Sequence, residues 1–206
     1  MRAAPASPFT SEPEPGVSER ETLHARLREA TADAHAALER DLDWQDKVAT
    51  LPGYRALLAR LRGFHAAYEP AIAAGLSDAD FLAPRRRLAA LDTDLAALGL
   101  DEAARDALPA PDAPVLDGEG AAFGALYVLE GSTLGGLVIG RHVGGLHGQA
   151  APLAYYAGRG REAGPLWRRF RERLDGLPPT QEAPAFAAGI ATFDAMRKWL
   201  TTAPAV

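Results

Sequence analysis

Apolar residues return every three or four positions along most of this chain, the period of a helix face. No segment shows the strict alternation of a half-buried strand. Leu23, Leu27, Ala30, Ala34 and Leu38 form the first stripe. Ser18 and Glu21 have the spacing of a capping box, which predicts a helix from near Arg20 that ends before Trp44. Pro52, near a first helical position, opens a second helix with Tyr54, Leu57, Leu58, Leu61, Phe64 and Tyr68 on its apolar face. Pro70 kinks or terminates it. A third helical region spans Asp80 to Leu98, with Leu88, Leu91, Leu95 and Leu98 as its stripe. Arg85-Arg86-Arg87 reads there as a solvated face, or as a contact for an acidic protein.

Pro109, Pro111 and Pro114 mark 108–118 as a loop. A glycine-rich helix follows over 121–140, then irregular backbone around Gly144, Gly145 and Gly148, a short helix over 146–156 and a break at 158–164. Pro165 starts a helix to Leu174, and Pro178-Pro179 interrupts the chain. The last helix, 183–200, turns Phe186, Ile190, Phe193 and Met196 or Arg197 inward. The pattern predicts an all-α, single-domain, multi-helix fold. A flexible extension covers 1–18, the helical domain 19–201 and a short flexible tail 202–206.

Composition narrows the chemistry. With 206 residues and 48% hydrophobic content the chain can bury one substantial core. A formal charge of -5 disfavours a general nucleic-acid binder. The absence of cysteine excludes disulfides, haem-thiolate, Cys-ligated iron–sulfur and Cys-based zinc centres. Residues 1–20 lack the basic and apolar regions of a secretion signal, and no uninterrupted apolar run is long enough for a bilayer. A cytoplasmic protein with no membrane contact is the expectation.

The five histidines, His24, His35, His65, His142 and His147, are the first place to look for metal chemistry. His24 and His35 lie eleven residues apart, about 20° on a helix, so periodicity does not choose between them. Glu39, one turn after His35, has the spacing of a carboxylate that orients an imidazole. Glu21-Thr22-Leu23-His24 is half of a di-iron bundle signature, but no second Glu-x-x-His occurs. Gly124, Gly131 and Gly135 share one side of the glycine-rich helix, with Gly136 beside them. Each internal glycine costs about 1 kcal/mol against alanine, so a flat ligand or a neighbouring helix must lie close to the backbone. Ser132 sits at the edge of that face and could join a water network, while Tyr127, Arg28 and Arg171 are candidates for a ligand's carboxylates.

Two segments carry a resemblance. Leu27-Arg28-Glu29-Ala30-Thr31-Ala32-Asp33-Ala34-His35-Ala36-Ala37-Leu38-Glu39 resembles the proximal helix of the haem oxygenase family, and Tyr127-Val128-Leu129-Glu130-Gly131-Ser132-Thr133-Leu134-Gly135-Gly136 its distal helix. The likeness extends from Arg20 to Leu200 and is nearest the bacterial branch associated with bacteriophytochromes. It implies a haem oxygenase-like fold, haem b as substrate and prosthetic group, molecular oxygen as co-substrate, and His35 as iron ligand. It further implies Arg28, Glu39, Tyr127, Gly131, Gly135, Gly136, Arg171 and Phe193 around the haem, with Gly131, Ser132 and Gly135 acting at the distal face.

The implied products are biliverdin, of the IXα isomer, carbon monoxide and ferrous iron. Electrons would come from a ferredoxin, a flavodoxin or an NADPH-linked reductase, and a bacteriophytochrome would receive the biliverdin. One departure stands out. Many members carry an aspartate on the distal helix that organises water near oxygen, and none occurs between Ala121 and Gly140; Ser132 is the nearest substitute. A non-catalytic haem carrier or sensor, and a helical scaffold whose glycines merely pack, are the competing readings.

Overall fold

The computed structural model describes residues 22–202, and among them there are helices and loops but no strand. The chain enters helix α1 (Leu23–Ala30) at Thr22, whose side chain accepts the Ala25 amide at 3.2 Å. Thr22 therefore caps the helix; the expected capping box of Ser18 and Glu21, the 1–18 extension and residues 203–206 lie outside the described residues. Thr31 separates α1 from α2 (Ala32–Leu42). Its hydroxyl bonds back to Leu27 O at 2.8 Å, a local bond that bends a helix, so one predicted helix becomes two. Asp43, left-handed at φ 42°, ends α2 before the short α3 (Trp44–Val48).

Helix α4 (Leu51–Leu76) is capped by Thr50, which accepts the Gly53 amide at 3.1 Å. It continues through Pro70, which is exposed and does not terminate it. The expected third helix is divided into α5 (Ala79–Leu82), a 3-10 turn at Ala83–Arg85 and α6 (Leu88–Ala97). Arg85 and Arg87 are buried there, which corrects the solvated reading of the arginine run; Arg86 alone of the three is exposed. After α7 (Glu102–Asp106) and the proline loop comes α8 (Gly118–His147).

Helix α8 outlasts the expected 121–140 span at both ends. Gly144 and Gly145 continue it, and the short helix expected over 146–156 is instead a 3-10 turn at Gly148–Ala150 followed by loop. Helices α9 (Ala163–Asp175) and α10 (Glu182–Thr201) complete the fold. Phe193 and Met196 are buried on α10 as expected, whereas Ile190 is 37% exposed.

Helix α8 is the axis of the core, packed against α4 and α10. Small residues set the α8–α10 distance. A Cβ on Gly124 would stand 2.1 Å from Ala185 O, and one on Gly120 2.2 Å from Gln181 O. By length and composition alone α8 is apolar enough to cross a bilayer, contrary to the sequence reading. Of that apolar window, however, 53% is buried inside the fold.

Candidate functional site

Gly124 is used up by helix packing, but the glycines farther along α8 are not. A Cβ on Gly131 or Gly135 would meet nothing within 4 Å. Both line a cavity of about 290 Å³ with His35, Leu38, Glu39, Tyr127, Ser132, Phe193 and Met196 among its walls. A second cavity of about 350 Å³ shares Leu38, Glu39, Ser132, Gly135 and Met196 with it and extends toward Trp44, Leu57, Leu61, Tyr155 and Tyr156. The two form one cleft between α2 and α8, mostly apolar, of the size that takes a small-molecule ligand. Gly136 borders the inner part, and its Cβ direction is closed by the Tyr156 ring at 3.1 Å.

His35 stands at the mouth, its side chain 53% exposed and its ring edge-on to Phe193 at 5.3 Å between centroids. The Glu39 carboxylate is 3.6 Å from its Nε2, within ion-pair range and beyond a direct hydrogen bond. The other candidate, His24, is placed elsewhere. Its ring packs edge-on to Trp167 at 5.4 Å and to Tyr127 at 6.1 Å. Burial and the nearby Arg171 hold its pKa below the usual histidine value. Periodicity left the two histidines equivalent; packing separates them and leaves His35 facing the cleft.

Arg28, Tyr127 and Arg171 gather around His24, and of the three Tyr127 also lines the cleft. Arg28 is exposed on α1 and acts electrostatically on both Tyr127 and His24; Arg171 acts on His24 from α9. Burial raises the Tyr127 pKa, opposed by its hydrogen bond to Thr31 and by Arg28. Arg171 Nε is buried without a hydrogen-bond partner.

The wall behind Ser132 was not legible as a site. Tyr155 and Tyr156 lie in the loop after α8, where a short helix was expected. Tyr155 Oη is 3.1 Å from His65 Nε2, and His65 Nδ1 is 2.9 Å from Glu69 Oε1. Glu69 also accepts the amides of Arg87 at 2.7 Å and Leu88 at 3.1 Å. Its burial would raise its pKa, but these bonds and His65 hold it below the usual value. The loop is held from three sides. Asp94, fully buried, accepts the amides of Ala154 at 2.7 Å and Tyr155 at 2.8 Å; Arg87 donates to the Tyr155 carbonyl; and Glu130 pairs with Arg159 at 2.8 Å. The one signal in the sequence was the four-residue spacing of His65 and Glu69, which places them on one face of α4.

The family model described as heme oxygenase matches residues 21–202. Among solved structures, the haem oxygenase of Neisseria meningitidis, determined with NO and CO bound, is similar with a TM-score of 0.69 and 24% identity, over 87% of this chain and 90% of that one. No curated protein sequence matches the chain. With a family model that spans the whole described region, the chain belongs to the haem oxygenase family.

Proposed function

We propose that this chain opens haem b oxidatively to biliverdin, carbon monoxide and ferrous iron, with molecular oxygen and electrons from an external donor. Cleavage at the α position, giving the IXα isomer, is part of the proposal. So are a ferredoxin, flavodoxin or NADPH-linked reductase as donor and a bacteriophytochrome as recipient of the product. The observation that carries the reading is the pair of open glycines facing His35 across an apolar cleft: a Cβ at Gly131 or Gly135 would fill the space a flat macrocycle needs.

The residues present suit haem. His35 would hold the iron through its imidazole. Gly131 and Gly135 would lie against the other face. Phe193 would pack on the His35 side, and Arg28, Tyr127 and Arg171 would receive the carboxylates at the edge. Haem supplies the redox chemistry when bound. The chain's part is to fix the macrocycle's rotation, exclude water with Leu38, Leu57, Leu61 and Met196, and offer Ser132 as a polar group at the distal wall.

Purified protein titrated with haem tests this. His35→Ala should remove the histidine-type spectrum and His24→Ala should retain it; equal effects would reject the assignment. Reductant and oxygen should then replace the Soret band by biliverdin absorbance. Haem that persists under those conditions would favour a carrier or sensor.

A further inference from the structure

We propose that the Tyr156 phenol is the hydrogen-bond donor of the distal cleft, offered to a polar atom of a small ligand or water held there. The inference deepens the reading of this cleft as a haem pocket and rests on it.

Three tyrosines meet behind α8. Tyr54 and Tyr156 stack at 6.2 Å between ring centroids, and Tyr155 stands edge-on to Tyr156 at 5.0 Å. Their hydroxyls are used differently. Tyr54 donates to Pro152 O at 2.7 Å, and Tyr155 Oη is 3.1 Å from His65 Nε2. Tyr156 makes no hydrogen bond to any of the described residues, although it is only 5% exposed. Its hydroxyl is not one of the polar atoms that the fold seals away without a partner. Tyr156 lines the inner part of the cleft with Ser132 and Gly135, so the opening left to that hydroxyl is the cleft. A buried hydroxyl without a partner is costly, and phenylalanine would pack here as well. A phenol at this place therefore calls for a partner from outside the chain.

The backbone of α8 aims the ring. A Cβ on Gly140 would stand 2.8 Å from Tyr156 Cβ, and one on Gly136 3.1 Å from Cδ1 and 3.5 Å from Cε1. The ring thus begins beside Gly140 and runs one turn back along α8, toward Gly135 and Ser132. Gly136 serves the pocket through Tyr156, and Gly140, which the sequence did not single out, does the same. The other polar groups of this wall do not supply a donor. The Ser132 hydroxyl gives its one proton to Leu129 O at 2.8 Å and so meets the cleft as an acceptor. The Glu39 carboxylate accepts as well. Trp44 is half-buried at the rim, its ring edge-on to His142 at 5.2 Å, and it provides a control. Burial raises the Tyr156 pKa well above its ordinary value, so the proton stays on the phenol.

Tyr156→Phe keeps the ring against Gly136 and Gly140 and removes the hydroxyl alone. In the haem-free full-length protein it should leave the melting temperature unchanged or raise it, whereas Tyr54→Phe, which takes away a bonded hydroxyl, should lower it. A fall as large as that of Tyr54→Phe would reveal a partner within the fold and overturn the proposal. In the haem-loaded ferrous protein under carbon monoxide, a nearby donor lowers the infrared C–O stretch. Tyr156→Phe should move the band to higher wavenumber and abolish its shift in deuterium oxide, and Ser132→Ala and Trp44→Phe should move it less. A band unmoved by Tyr156→Phe, or moved more by either of the other two, would also overturn it. A parent protein that takes up no haem rejects the functional reading and this proposal together; a haem-loaded protein whose band ignores Tyr156→Phe rejects the proposal alone.

Discussion

Substituting Gly135 by alanine separates the two kinds of glycine on α8. The residue lies inside a helix, and its added Cβ would meet nothing within 4 Å. The haem-free protein should therefore gain the helix propensity that glycine forgoes, about 0.5–1 kcal/mol. For a domain of this size that raises the melting temperature by about 1–4 °C. The same methyl occupies the surface reserved for the macrocycle. Overpacking costs about 1–3 kcal/mol, which is about 5- to 150-fold in haem affinity. Thermal unfolding followed by circular dichroism measures the first effect, and a Soret titration the second. Gly124→Ala is the control, because its Cβ would lie 2.1 Å from the Ala185 carbonyl oxygen and α8 and α10 would have to part. It should lower the melting temperature. A haem-free Gly135→Ala protein less stable than its parent, or one that binds haem equally well, would refute the assignment of this face to a ligand.

Glu130→Gln should destabilise the protein by about 3–5 kcal/mol in urea unfolding, since it leaves Arg159 buried without its counter-charge; a loss below about 1 kcal/mol would contradict the burial of the pair. Glu69 has a folded pKa below its unfolded value. Its contribution to stability is therefore complete above the unfolded value of 4.5 and is lost as pH falls through the folded one. Glu69→Gln should accordingly flatten the acid limb of the stability–pH curve below about pH 5, read by urea midpoints at a series of pH values. Tyr54→Phe removes the hydroxyl that donates to Pro152 O at 2.7 Å. It should cost about 1 kcal/mol of stability, with haem affinity changed less than in Gly135→Ala.

Helical periodicity was enough to read the long elements, because α4, α8 and α10 each bury an apolar face that repeats at the helix period. It misplaced what depends on contacts distant in sequence. Arg85 and Arg87 look like surface charge until Glu130, Glu69 and the loop carbonyls supply their partners. Thr31 looks like any helical residue, yet its back-bond divides α1 from α2. The glycines were visible as a departure from helix propensity, but the sequence could not assign Gly124 to a helix contact and Gly131 to open space. The His35 and glycine segments were legible because each is local. Tyr155 was not, because its role comes from groups on α4, α6 and α8 that approach it only in the folded chain.

The ties on that loop also bear on the order in which the protein assembles. Asp94 to Tyr155 spans 61 residues, Arg87 to Tyr155 spans 68, and Tyr54 to Pro152 spans 98. Closing such distances is entropically expensive and is rewarded only once the helices between them have docked. Asp94→Asn should then speed unfolding and leave the refolding rate nearly unchanged, a φ-value near zero in stopped-flow measurements. The back wall of the cleft is thus a late-forming part of the molecule, and a nascent chain becomes competent to hold its substrate only at the end of folding.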